Sequence, residues 1–267
     1  MEHKQIQRAV VKIGTSTLTH ENGKPNLRLM ERLARVLSDL CNAGREAVLV
    51  TSGAVAVGMN RMGLTERPHG VRERQAVSAV GQCSLMALYD RFFSEYGRVV
   101  GQILLTRDVI DEELRKQNAV NTFNELLQRG IIPIVNENDS ISTEELEGIA
   151  FGDNDRLSAI VAALVNAQAL IILTDTDGLY DSDPHANPSA RLIPFVERIT
   201  PDMTDSAGGS GTKRGTGGMA TKLDAAKYAT GHGIGTFIIN GQNPDNLYEL
   251  FDGKSMGTYF AAEPQNN

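Results

Sequence analysis

Val10-Val11-Lys12-Ile13-Gly14-Thr15-Ser16 decides the fold class. A β-branched run with no turn residue before Gly14 suits a parallel strand covered on both faces, because such strands read as continuous apolar runs. Lys12 then stands at the strand's carboxyl end, the edge where open α/β sheets bind ligands. Gly14 permits a sharp turn, and Thr15 and Ser16 add N–H groups and hydroxyls suited to anionic oxygens, so phosphate is the natural guest. Taken alone, the stretch equally describes a strand ending in a snorkelling surface lysine. The rest of the chain has to decide.

Working outward, strands alternate with helices. Asn26 reads as the N-cap of a helix carrying Leu29, Leu33, Val36, Leu37 and Leu40 at helical spacing, and Gly44 stops it. Residues 47–50 form a second buried strand, followed by the small-residue turn Thr51-Ser52-Gly53-Ala54 and a short helix over 54–60. A charged loop is expected over 66–74, then a helix over 75–96 whose Arg and Glu residues form a solvated face. Strands follow at 99–105 and 131–135, separated by a helix over 112–128. Pro133 removes one ladder donor, so that strand is short or near an edge. Asn136-Glu137-Asn138-Asp139 comes next, then an acidic loop over 140–152, and Gly152-Asp153-Asn154-Asp155 opens a helix with Leu157, Ile160, Val161 and Leu164 on one face. A fifth strand over 169–173 ends in Thr174-Asp175. Short strands are expected at 192–193 and 195–196, and final strands at 236–239 and 257–260. A glycine-rich loop over 206–218 leads into a helix over 219–230, with Lys222 in its first turn. This alternation is the signature of a mostly parallel central sheet with helices on both faces. Without an internal repeat or a separating linker, residues 1–260 read as one domain and 261–267 as a tail.

The 267 residues, 41% apolar and 22% charged with a formal charge of −7, describe an ordinary globular chain. The acidic balance argues against general affinity for nucleic acid or anionic membranes, whose phosphates require a basic face. No apolar run approaches the roughly 20 residues of a membrane span, and the first residues lead straight into a strand, so a cytoplasmic location is expected. Cys41 and Cys83, far apart and without ligand spacing, read as free buried thiols.

Common motifs fail. The glycine-rich loop lacks the Gly-Lys-Ser/Thr of a P-loop, and Arg214 and Ala220 stand where a dinucleotide fingerprint needs glycine. Asp175-Thr176-Asp177-Gly178 hints at an EF-hand, but Leu179 occupies an oxygen-ligand position. The five histidines are scattered, and none pairs with a Ser or Cys nucleophile. What accumulates instead is a set on one sheet edge: Lys12, the Ser52-Gly53 turn, Asp139, Asn154, Asp155, Thr174, Asp175 and Lys222. Singly, Asp153 or Asn154 is also explained as an N-cap and Asp139 as a turn residue.

Six segments in order then carry a resemblance: Val11-Lys12-Ile13-Gly14-Thr15-Ser16, Val50-Thr51-Ser52-Gly53-Ala54, Asn136-Glu137-Asn138-Asp139, Gly152-Asp153-Asn154-Asp155, Leu173-Thr174-Asp175 with Gly178-Leu179-Tyr180, and Gly215-Thr216-Gly217-Gly218-Met219 with Thr221-Lys222. Across nearly its whole length the chain resembles the glutamate 5-kinases of the amino acid kinase family, in the form without a C-terminal PUA domain. The resemblance implies a three-layer αβα sandwich with a mostly parallel central sheet, ATP with Mg²⁺, and phosphorylation of the γ-carboxylate of L-glutamate, the first step of proline biosynthesis. It further implies feedback inhibition by proline and a homo-oligomer. Carried over by position, Lys12, Gly14, Thr174, Asp175 and the stretch Thr216, Gly217, Gly218, Met219, Ala220, Thr221 and Lys222 contact the nucleotide. Ser52, Gly53, Asn136, Asp139, Asp153 and Asn154 hold the amino acid, Asp155 organises Lys12 and Lys222 for catalysis, and no protein metal ligand is implied. The rivals are relatives acting on aspartate, N-acetylglutamate, carbamate or a nucleotide, and a catalytically silent ligand sensor on the same fold.

Overall fold

In a computed structural model, which describes residues 5–106, 108–141, 154–184, 186–206 and 218–264, the opening stretch is strand β1, Arg8–Ile13, with every residue from Ala9 onward buried. The other strands are β2 (Glu46–Thr51), β3 (Val100–Leu105), β4 (Ile132–Glu137), β5 (Ala169–Thr174), β6 (Phe195–Val196), β7 (Gly235–Asn240) and β8 (Thr258–Phe260). They form one sheet in the order β3-β4-β2-β1-β5-β7-β8-β6. All pairings are parallel except β7–β8. The helices are α1 (Thr15–Leu18), α2 (Leu27–Asn42), α3 (Ala54–Met62), α4 (Val71–Ser94), α5 (Asp108–Asp111), α6 (Glu113–Gln128), α7 (Asn154–Leu164), α8 (Pro201–Ser206), α9 (Met219–Gly231) and α10 (Asn246–Phe251).

Two cores lie on opposite faces of the sheet, as the alternation of strand side chains requires. Val11 and Ile13 join the core beneath α2, α4 and α10, while Val10 joins the core beneath α6, α7 and α9. Lys12 shares its parity with Val10 and therefore leans toward α7 and α9. Asn26 caps α2 as its sequence position suggests, its side chain accepting from the Leu29 N–H at 3.2 Å.

Four expectations are corrected. Helix α4 begins at Val71, so part of the anticipated 66–74 loop is helical; Arg and Glu are good helix formers even without apolar periodicity. Cys83 is exposed and Cys41 half-buried, so neither is a fully buried thiol, although both are free. Leu192 makes only an isolated bridge to Tyr180 instead of a strand. Gly14 is extended, φ −86° and ψ 162°, so the turn after β1 does not draw on glycine's left-handed freedom. Pro133 lies one strand in from the sheet edge, where the β2–β4 register is confined to Leu49–Ile134 and Val50–Val135. No described helix is long and apolar enough to cross a membrane.

Candidate active site

The carboxyl ends of β4, β2, β1 and β5 are neighbours, and the strand order sorts the candidate residues along one line. Asn136 and Asp139 come from the end of β4, Ser52 from that of β2, Lys12 from β1, and Thr174 with Asp175 from β5. The strand order switches sides at β1, since β2 to β4 are laid down on one side of it and β5 begins the other, all parallel to it. That crevice is where open α/β sheets bind ligands.

At its centre Asp155, wholly buried at the start of α7, holds two lysines. Lys12 Nζ lies 2.5 Å from Asp155 Oδ1 and Lys222 Nζ lies 3.0 Å from Oδ2. Both lysines are buried, with 3% and 7% of their surfaces exposed. Thr221 Oγ1 lies 3.0 Å from the same Oδ2 and 2.8 Å from the Gly218 carbonyl, two acceptors that share its one proton, which ties the first turn of α9 to α7. Burial alone would push the Asp155 carboxyl up; the charges of Lys12 and Lys222 outweigh it and hold the group well below the ordinary aspartate range. Two cations share one anion, so the cluster carries one net positive charge in a dry setting, and it attracts a polyanion more strongly than an exposed lysine would.

Backbone donors surround this charge. The N-cap residues of α3 and α9 are glycines and supply no side-chain cap: Gly53 precedes α3 with φ 98°, a left-handed conformation that glycine adopts without strain, and Gly218 precedes α9. The positive dipole ends of these two helices favour an anion.

On the β2–β4 side the side chains form a continuous polar chain. Asn154 Nδ2 lies 3.0 Å from the Thr51 carbonyl, 2.9 Å from Ser52 Oγ and 2.9 Å from Asn136 Oδ1. Asn136 Nδ2 donates to Gln82 Oε1 at 2.8 Å, and Ser78 Oγ donates to Asp139 Oδ2 at 3.1 Å. On the β5 side, Thr174 is buried and donates to Asp175 Oδ1 at 3.2 Å. Asp175 lines a cavity of about 320 Å³ together with Ser16, Thr17 and Gln242, which joins the loop after β1 to the end of β5.

The structure thus brings together Lys12, Asp155, Thr221 and Lys222, and separately Ser52, Asn136 and Asn154. Met219 and Ala220 are in the first turn of α9 beside them, and Gly53 is at the N-terminus of α3. Asp153, Thr216, Gly217 and most of both long loops (142–153 and 207–217) lie outside the described residues. Ser78 and Gln82 were missed from the sequence, where α4 reads as a solvated helix. They stand four residues apart on one helix face, and a glycine inside that helix, Gly81, was the available signal. A Cβ at Gly81 would sit 1.7 Å from the Ala54 carbonyl oxygen, and one at Gly58 would sit 2.0 Å from that of Val77. The two helices therefore touch backbone to backbone, which draws α4 under the Ser52-Gly53 turn. A buried hydrogen bond of 2.8 Å between Thr51 Oγ1 and Tyr89 Oη ties α4 to the end of β2 as well.

The amino acid kinase family model matches residues 7–240. A curated relative from Clostridium perfringens, "Glutamate 5-kinase", is 56% identical over 261 residues, covering 97% of each chain. One of the same name from Listeria innocua is 51% identical over 263 residues, covering 98% of this chain and 95% of the relative. Among solved structures, the UMP kinase from Bacillus anthracis superposes with a TM-score of 0.65 at 16% identity, covering 98% of both chains. The UMP kinase from Ureaplasma parvum gives 0.63 at 15% identity over 96% of this chain and 98% of that one. At such identities the likeness is one of fold.

Proposed function

The chain belongs to the amino acid kinase family, and on that premise we propose that it transfers the γ-phosphoryl group of ATP to the side-chain carboxylate of L-glutamate, yielding L-glutamyl 5-phosphate for proline biosynthesis. The names of the relatives at 56% and 51% identity supply the substrate. The observation that carries the mechanism is the buried Lys12–Asp155–Lys222 bridge, with a polar amide cluster on one flank and Thr174 and Asp175 on the other.

A glutamate side chain, with a reference pKa of about 4.3, is already ionised at neutral pH and needs no base. Its obstacle is electrostatic, because one anion must approach another. In this reading a γ-carboxylate oxygen attacks the γ-phosphorus, the bond to the β–γ bridging oxygen breaks, and ADP leaves with that electron pair. Lys12 and Lys222 neutralise charge on the migrating group, and Asp155 keeps the two ammonium groups from repelling each other out of register. The N–H groups at the starts of α3 and α9 serve anionic oxygens. Asp139 and Asn154 Oδ1 are acceptors for the substrate's ammonium, with Ser52, Gly53, Asn136 and Asp153 supporting them. Gly14, Thr174, Asp175 and residues 216–222 hold the nucleotide. Mg²⁺ would enter with the nucleotide and supply a hard cation that offsets phosphate charge, with no carboxylate cage for it among the described residues.

The same reading makes the protein a cytoplasmic homo-oligomer, with residues 1–260 as the kinase domain, and makes proline a feedback inhibitor. Proline should then depress turnover most at low glutamate. ATP turnover with L-glutamate in hydroxylamine tests the reaction, since an acyl phosphate is trapped as the γ-hydroxamate. Formation of ADP and hydroxamate together is expected. ADP release with aspartate, N-acetylglutamate, carbamate or UMP but not with glutamate would refute the assignment.

A further inference from the structure

Among the described residues, two buried polar atoms on the β2–β4 side have no hydrogen-bond partner, Gln82 Nε2 and Asn154 Oδ1. Leaving such groups unpaired costs free energy, and native proteins rarely do so without use. Their orientations are not interchangeable. Asn154 Nδ2 faces three acceptors, so its oxygen must point the other way. Asn136 Oδ1 accepts from that group and from the Glu137 N–H at 2.9 Å, which commits Asn136 Nδ2 to donate to Gln82 Oε1. The oxygen of Gln82 is thereby used, and its remaining group is a donor. The three amides form a chain with one direction, ending in an unused acceptor at Asn154 and an unused donor at Gln82. An α-amino acid presents the complement, an ammonium that donates and a carboxylate that accepts.

Resting on the reading of an amino acid as acceptor substrate, we propose that Gln82 is a substrate-binding residue: its Nε2 donates to the α-carboxylate of the bound amino acid, and its Oε1, through Asn136, holds Asn154 Oδ1 toward the ammonium. Geometry favours the α-carboxylate over the γ-carboxylate. Gln82 stands one helical turn from Ser78, which donates to Asp139, the carboxylate assigned to the ammonium. The γ-carboxylate belongs instead near Lys12 and Lys222, on the far side of Asn154. Gln82 itself is 92% buried, with 8% of its surface exposed, so the donor would act with little competition from water.

The test is steady-state kinetics of the whole chain and its Gln82→Glu and Gln82→Met variants, with L-glutamate and with L-isoglutamine, whose α-carboxylate is a carboxamide. Loss of one charge-assisted hydrogen bond should raise KM for L-glutamate about 10- to 100-fold. The KM for ATP should stay unchanged. For Gln82→Glu, which keeps an acceptor for Asn136, the penalty should shrink to within about threefold for L-isoglutamine, which offers no α-carboxylate for that donor to pair with. A structural role alone would penalise both substrates equally, and that result, or an unchanged KM for glutamate in either variant, overturns the proposal. Should Gln82→Glu fail to fold, Gln82→Met, uncharged and of similar length, should raise KM for L-glutamate over the same range; because it also removes the oxygen that steadies Asn136, L-isoglutamine should recover only part of that penalty. A wild-type protein inactive with glutamate would instead count against the reaction proposed above.

Discussion

Asp155→Asn is the sharpest perturbation of this site because it changes charge with little change in volume. The native carboxylate meets Lys12 Nζ at 2.5 Å, Lys222 Nζ at 3.0 Å and Thr221 Oγ1 at 3.0 Å, and is itself wholly buried. Removing its charge leaves two ammonium groups buried together with no counter-ion. Breaking a buried pair in this way costs about 3–5 kcal/mol, and the retained amide oxygen, able to accept from one lysine, sets the expectation near the lower figure, about 3 kcal/mol. Urea unfolding at neutral pH measures it. The double variant Asp155→Asn with Lys222→Met removes one cation with the anion and restores a single buried positive charge. It should recover about 2 kcal/mol of the loss while remaining inactive, a coupling that a double-mutant cycle isolates. The pH dependence separates the variants further. Asp155 titrates below its ordinary value of 3.8 in the folded state, so its contribution is present above that value and is lost as pH falls from about 5 toward the folded value. That acid-side loss should be missing from Asp155→Asn. In the variant a stranded ammonium is disfavoured on folding, so the unfolded chain binds more protons, and stability should rise between about pH 7 and 10. An Asp155→Asn protein with an unchanged unfolding midpoint and more than about a tenth of wild-type turnover would refute the reasoning.

Three further outcomes follow from the geometry. Lys222→Met should retain the fold yet lower kcat by about 100-fold or more, the scale of one preorganised charge contact to a developing anion, as single-turnover kinetics would register. Asp139→Ala should raise KM for glutamate with little change for ATP, and the reverse pattern would show the assignment wrong. Gly81→Ala would gain about 1 kcal/mol of helix propensity but set a methyl 1.7 Å from the Ala54 carbonyl oxygen, forcing α3 and α4 apart; a net loss of about 2 kcal/mol in chemical denaturation is expected. Because Gln82 follows Gly81, KM for glutamate should rise in that variant as well.

Much of the fold was legible because the strands state it locally. The apolar runs of β1, β2 and β5 and the Asn26 cap need no tertiary information. The charged centre was legible for a related reason: Lys12, Asp155 and Lys222 each sit at a strand end or helix start that the pattern locates. Gln82 and Ser78 were not, because their role depends on a crossing of α3 and α4 close enough to need glycine at both contact points. A helix read for periodicity shows which face is apolar, not which polar residues another element will meet. The start of α4 was mislocated because Arg72, Glu73 and Arg74 carry propensity without pattern. Cys83 illustrates the remaining limit, since residue type alone favours burial whereas its place on the helix exposes it.

The claim beneath the chemistry is that a carboxylate oxygen of the amino acid, unassisted by any base, becomes the oxygen bonded to phosphorus. Glutamate labelled with ¹⁸O in its γ-carboxylate, turned over with unlabelled ATP in hydroxylamine, tests this through the ³¹P spectrum of the released phosphate, because hydroxylamine attacks the carbonyl carbon and leaves the transferred oxygen on phosphorus. Phosphate carrying one ¹⁸O atom is the expected result. Unlabelled phosphate accompanying ADP release would contradict the account.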